Sequence, residues 1–111
     1  MLMTTQEQAE LVAYCRARAG AVLLDAEYPG WAEEIDLDTL DMGDCIECVL
    51  GQLYGDYMDG MAALDPAAAE SDEEPAWAVD LGFNFGDMAT EYSDLDRAWR
   101  AEITKRLEAA S

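Results

Sequence analysis

Two groups of residues in this chain have types and spacings that could do chemistry. Cys45 and Cys48 form a Cys-x-x-Cys pair, the spacing that supplies half of many zinc sites. The other half is missing. The chain has no histidine, and Cys15, the third of its three cysteines, sits far upstream in a helical pattern of its own. A thioredoxin-like redox pair would call for a strand–helix–strand frame, which the pattern does not show. Neighbouring carboxylates also oppose a thiolate at Cys45, so both residues read as structural thiols, without metal or cofactor. The second group is Asp36, Asp38, Asp41, Asp44 and Glu47, whose density invites a calcium reading. The EF-hand spacing fails, because the fifth position from Asp36 is Leu40 and the glycine that the loop requires is absent.

Catalysis finds little support. Without histidine the usual general base near neutral pH is missing. Ser71, Ser93 and Ser111 are explained by a loop, a helix cap and a terminus, and Lys105 is the sole lysine. Paired carboxylates could in principle cleave glycosides, but a core of this size leaves little room for a cleft. The sequence is read as non-enzymatic.

The carboxylates make sense as a population. The 111 residues hold 25 Asp and Glu against six Lys and Arg, for a formal net charge of −19. Only Glu7, Glu10, Glu102 and Glu108 lie outside residues 19–96, and all six cations do, so that interval carries 21 acids and no basic side chain. Most of these acids must face solvent, since an unpaired buried carboxylate costs several kcal/mol or takes up a proton. Such a surface excludes phosphate-neutralising nucleic-acid binding and disfavours anionic membranes. It suits solubility, or a protein partner with a basic surface. With no basic leader and no apolar run long enough to span a bilayer, a cytoplasmic location is expected.

About half of the residues are apolar (51%), enough for one modest core, and their spacing assigns the elements. Residues 4–24 read as an amphipathic helix started by Thr4 with Glu7, or Thr5 with Gln8. Its apolar stripe is Leu11, Val12, Cys15, Ala19, Val22 and Leu23. Tyr28-Pro29-Gly30-Trp31 is a turn, with Trp31 read as core. Residues 33–42 form an extended segment or single helical turn that tucks Ile35, Leu37, Leu40 and Met42 under the core.

Asp44 with Glu47 begins the next helix. Ile46, Val49, Leu50, Leu53, Tyr54, Tyr57, Met58 and Met61 give it a core stripe over four turns. Its other side carries Cys48, Gly51, Gln52, Gly55 and Asp59. Two glycines inside a helix cost about 1 kcal/mol each relative to alanine, so Cys48, Gly51 and Gly55 are read as a close-packing face. Residues 65–75 form an acidic mobile loop and 76–81 a short helix stopped by Gly82. Residues 82–92 are irregular, with Phe83 and Phe85 in the core. Ser93 with Asp96 starts the final helix, whose core positions are Leu95, Trp99, Ile103 and Leu107. Asp96–Arg100 and Glu102–Arg106 are acid-first pairs four residues apart.

The string Cys48-Val49-Leu50-Gly51-Gln52-Leu53-Tyr54-Gly55-Asp56-Tyr57, with Gly60 beyond it, is the most distinctive stretch. With IDLDTLDM upstream and DLGF at 80–83, it resembles a family of small uncharacterised proteins from actinobacteria and their phages, over roughly residues 18–103. The resemblance implies an origin more than a mechanism. It raises the standing of a phage protein that binds and modulates a host factor in the host cytoplasm. Cys15, Cys45 and the strongly acidic loop depart from the family's pattern.

The expectation is a single acidic all-α domain over residues 1–111, an irregular bundle of three main helices and one short one. Its expected role is non-catalytic, engaging a basic protein surface, in the strongest form as a DNA mimic. The residues expected to meet the partner are Asp36, Asp38, Asp41, Asp44, Glu47, Asp56, Asp59, Glu70, Asp72, Glu73 and Glu74. The alternative is a structural protein, monomeric or a homodimer through the glycine face, whose acidity serves solubility.

Overall fold

The computed structural model describes residues 4–67, 76–84 and 92–110. Among them the chain forms six helices and no strand: α1 (Thr5–Glu27), α2 (Trp31–Glu34), α3 (Val49–Tyr54), α4 (Tyr57–Leu64), α5 (Ala76–Asp80) and α6 (Tyr92–Ala110). The architecture is all-α, as expected, though divided into more and shorter helices. The long helices α1 and α6 pack along each other, and α3 and α4 pair separately.

α1 begins as its sequence dictates, with the Thr4 hydroxyl accepting the Glu7 N–H at 3.1 Å. Its buried face differs from expectation. Ala13, Ala17, Gly20, Ala21 and Leu24 point inward, whereas Leu11, Cys15, Ala19 and Val22 are exposed. Both sets recur at helical spacing, so periodicity alone does not choose between them. Steric room does. A Cβ on Gly20 would run into the Leu81 carbonyl oxygen and lie 2.9 Å from the Trp99 ring. Only a small-residue face lets the 81–83 turn and α6 come that close.

Trp99 is the centre of the core. It stacks on Phe83 with centroids 5.4 Å apart, meets the edge of Trp31 at 5.7 Å, and donates its indole N–H to the Gly82 carbonyl at 2.7 Å. Leu95, Ala98 and Ile103 of α6 are buried around it, so the expected stripe of that helix holds. Trp31 is core as well. Its indole donates to Asp25, and the Arg106 guanidinium lies 5.6 Å from its ring centroid.

The segment after α2 is irregular, as anticipated. Ile35, Leu40 and Met42 are buried and Leu37 is half-buried. It is held from α6 by side chains expected to pair with each other. Arg100 donates to the carbonyls of Leu37 (2.7 Å) and Leu40 (2.8 Å), and the Asp96 carboxylate accepts the Met42 N–H at 2.6 Å. Burial pushes the Asp96 carboxyl above its ordinary pKa, against the opposing effect of the Met42 bond.

The expected four-turn helix from residue 44 is instead a turn and two short helices. Asp44 does accept two backbone N–H groups, from Ile46 (2.8 Å) and Glu47 (3.0 Å), but it caps a turn, and α3 starts after Cys48. The Cys48 sulfur accepts the Gly51 N–H at 3.3 Å as the cap of α3. Gly55, at φ +98°, ends α3, and Asp56 then caps α4 through the Met58 N–H at 2.8 Å. A left-handed glycine followed by an aspartate is a helix stop followed by a helix start. Consequently Ile46 and Met58, expected in the core, are exposed.

α5 ends at Asp80, one residue short of expectation, and the turn that follows passes through Gly82 (φ +77°) to Phe83, which plugs the core. Phe85 and residues 68–75 of the acidic loop lie outside the described residues.

Candidate functional site

The candidate acids fall into two clusters that the fold brings together. Asp36, Asp38, Asp41, Asp44 and Glu47 decorate the connection between α2 and α3, and Asp56 and Asp59 stand at the start of α4. The backbone N–H of Tyr57 donates to the Cys45 carbonyl at 2.8 Å, so the turn at 44–47 lies against the first turn of α4. Gln52 adds a clasp. Its amide accepts the Asp36 N–H at 2.6 Å and donates to the carbonyls of Asp36 and Glu47. Ile46 and Met58, each next to one end of the Cys45–Tyr57 bond, remain 60% and 57% exposed within this acidic frame. Glu70, Asp72, Glu73 and Glu74 lie outside the described residues.

Several of these carboxylates also hold the backbone. Asp36, Asp41, Asp44, Asp56 and Asp65 each accept the N–H two residues ahead, at 2.8–3.1 Å. This accounts for the residue type. Residues 35–66 contain seven aspartates and a single glutamate, and only the shorter side chain closes such a turn. The two N–H bonds at Asp44 hold its carboxyl below the ordinary range, so it stays ionised at neutral pH. Asp38, Glu47 and Asp59 show no such carboxylate bond to the backbone among the described residues. Their charges are not engaged in closing turns.

The cations of α6 do little to neutralise this face. Arg106 pairs with Asp25 through two bonds of 2.9 Å and with buried Glu102 at 2.8 Å. Lys105 also pairs with Glu102, at 3.2 Å, and Arg97 with Glu10 at 2.8 Å. Arg100 is held on the carbonyls of residues 37 and 40. The Arg106 hydrogen bond lowers the Asp25 pKa. At Glu102, burial opposes ionisation, but the bonds from Arg106 and Lys105 outweigh it and lower the pKa.

The cysteines do not assemble a site. Cys45 is exposed and Cys48 buried, and burial pushes the Cys48 thiol above its ordinary pKa. Among the described residues no three Cys, Asp or Glu side chains are grouped to hold a metal ion. A cavity of about 140 Å³ opens beside both cysteines, lined also by Met42, Asp44, Tyr57 and Tyr92. Pockets for small organic ligands usually exceed about 300 Å³. The expected close-packing face holds at Gly51 but not at Gly55. A Cβ on Gly51 would strike the carbonyls of Cys45 and Ile46 within the same chain, whereas one on Gly55 would meet nothing within 4 Å. Gly51 is thus a close-packing site inside the fold, and Gly55 is a turn.

Residue spacing alone did not reveal the exposed Ile46 and Met58. The available signal was Gly55-Asp56, which breaks the apparent stripe. Among the described residues no helix is long and apolar enough to cross a membrane. No protein-family model, curated protein or solved structure matches the chain.

Proposed function

We propose that this protein is a non-catalytic binding protein whose acidic face, formed by residues 36–47 and 56–59, docks on a basic surface of another protein. One observation carries this reading. The four cations of α6 are engaged in ion pairs and backbone contacts elsewhere in the fold, while Asp36, Asp38, Asp41, Asp44 and Asp59 stand exposed with their charge largely uncompensated. A field of one sign steers a basic partner and sets its orientation. Ile46 and Met58 offer that partner an apolar contact inside the charged frame. In the strongest form the carboxylates stand in for phosphates and occupy a nucleic-acid-binding channel. The resemblance to actinophage proteins makes a host nucleic-acid-binding factor the natural partner.

The test uses capture from a bacterial lysate with the wild-type chain and a variant carrying Asp38→Asn, Glu47→Gln and Asp59→Asn. These positions keep the turn-closing aspartates intact, so the variant should melt no lower than wild type. Captured proteins should be basic, be released by duplex DNA, and bind about 100-fold more weakly as salt rises from about 50 to 200 mM. The triple variant should lose them. Capture indifferent to salt, to DNA and to the variant would remove this reading.

A further inference from the structure

We propose that the outer face of α1 is a contact between two copies of this chain, packed antiparallel about a two-fold axis. The inference is independent of the acidic face and starts from the misassigned stripe. Leu11 and Tyr14 are 51% and 41% exposed, and Glu7 and Arg18 beside them are exposed as well. These four residues are spaced four, three and four apart, the a/d spacing of a helix–helix seam. At about 100° per residue they fall within a sector of roughly 60°.

The seam is self-complementary. The midpoint between Glu7 and Arg18 coincides with the midpoint between Leu11 and Tyr14. A two-fold axis through that point sets each Arg18 opposite Glu7 of the other copy, and each Leu11 opposite the other copy's Tyr14. This is the isologous arrangement of a symmetric dimer.

Charge confines a contact between two copies to this face. Two molecules of net charge −19 repel over most of their surfaces. Residues 11–24 are the longest stretch of the chain without a carboxylate, and they carry Arg16 and Arg18. Arg18 makes no ion pair among the described residues, although the chain has 25 carboxylates. The antiparallel seam supplies one to each copy. Because the contact is one helix wide, it buries less than the roughly 800 Å² per partner of a standard interface. A contact of that size is expected to be weak, so association is sought up to sub-millimolar concentration.

Sedimentation equilibrium of the full chain, from micromolar to about 0.5 mM at about 0.15 M salt, reads this directly. The wild type should pass from monomer to dimer. Arg18→Glu alone and Glu7→Arg alone should each remain monomeric, and the two together should dimerise again. Leu11→Glu should be monomeric with unchanged helix content by circular dichroism, since the side chain is outside the core. A wild type that stays monomeric throughout overturns the proposal. So does a dimer indifferent to Arg18→Glu and Leu11→Glu, or a double charge swap that fails to restore association.

Discussion

Arg106 ties α1, α2 and α6 together through Asp25, the Trp31 ring and Glu102. Removing its head group strands a nearly buried glutamate with Lys105 as its remaining cation. Arg106→Met should cost about 2 kcal/mol in chemical denaturation at neutral pH. Its pH dependence follows from the sign of the shifts. Asp25 and Glu102 have folded-state pKa values below their unfolded ones, so their stabilisation is complete above the ordinary carboxylate range. It is lost as pH falls through the lowered folded values. Denaturation curves between pH 7 and pH 3 should show a smaller loss of stability for Arg106→Met than for wild type. Equal losses would mean that other carboxylates dominate acid unfolding. The Glu102–Arg106 pair was legible from its spacing. Asp25 was not, because its partnership joins residues far apart in sequence.

Among the elements, the core stripe of α6 was read correctly, although the helix begins at Tyr92 and not after a Ser93 cap. α1 was read to within three residues of its end but not in its facing. α6 has one apolar stripe wide enough to be a core face, built around Trp99. α1 has two stripes of opposite character, and hydrophobicity points to the wrong one. The Ala/Gly stripe wins because α1 packs against backbone at the 81–83 turn, a contact that sequence patterning cannot reveal. Gly82 is the other half of that contact. It has φ +77°, and its Cβ would sit 2.8 Å from the Ala17 nitrogen. Gly30 has a similar φ of +83° and nothing within 4 Å. Gly30→Ala should therefore cost only the left-handed strain, about 1 kcal/mol, whereas Gly82→Ala adds a backbone clash and should cost about 3 kcal/mol or more. Similar losses in urea unfolding would show that the close approach contributes nothing. The same kind of reasoning explains the broken helix at residue 55. The apolar spacing from 46 to 61 is genuine, but glycine then aspartate outweighs it, since each supplies the backbone geometry or bond that a helix end requires.

For the molecule as a whole, the sequence was enough to say that the protein is helical, strongly acidic and cation-free from residue 19 to 96. It could not say where the few cations are spent, because that depends on tertiary contacts. With the four cations of α6 tied up locally, repulsion among the remaining acids is relieved mainly by dissolved ions. The melting temperature should rise as sodium chloride increases from about 10 mM to 0.5 M, and differential scanning calorimetry would record it. A flat response would show that the acids are compensated within the fold. The concentration of basic and core-forming groups in α6 also imposes an order of events during synthesis. A ribosome that has released only residues 1–84 has released a chain lacking Leu95, Trp99, Ile103, Arg100 and Arg106. α1 then has only the 81–83 turn and α5 against its small-residue face, and the 35–42 segment lacks the Arg100 and Asp96 side chains that hold it from α6. Local pairing of α3 with α4 can proceed early, but the α1–α6 contact closes a loop of most of the chain and must come late. Until then the nascent protein is a polyanion whose own cations are Arg16 and Arg18 alone, kept apart from its neighbours by repulsion while it waits for α6.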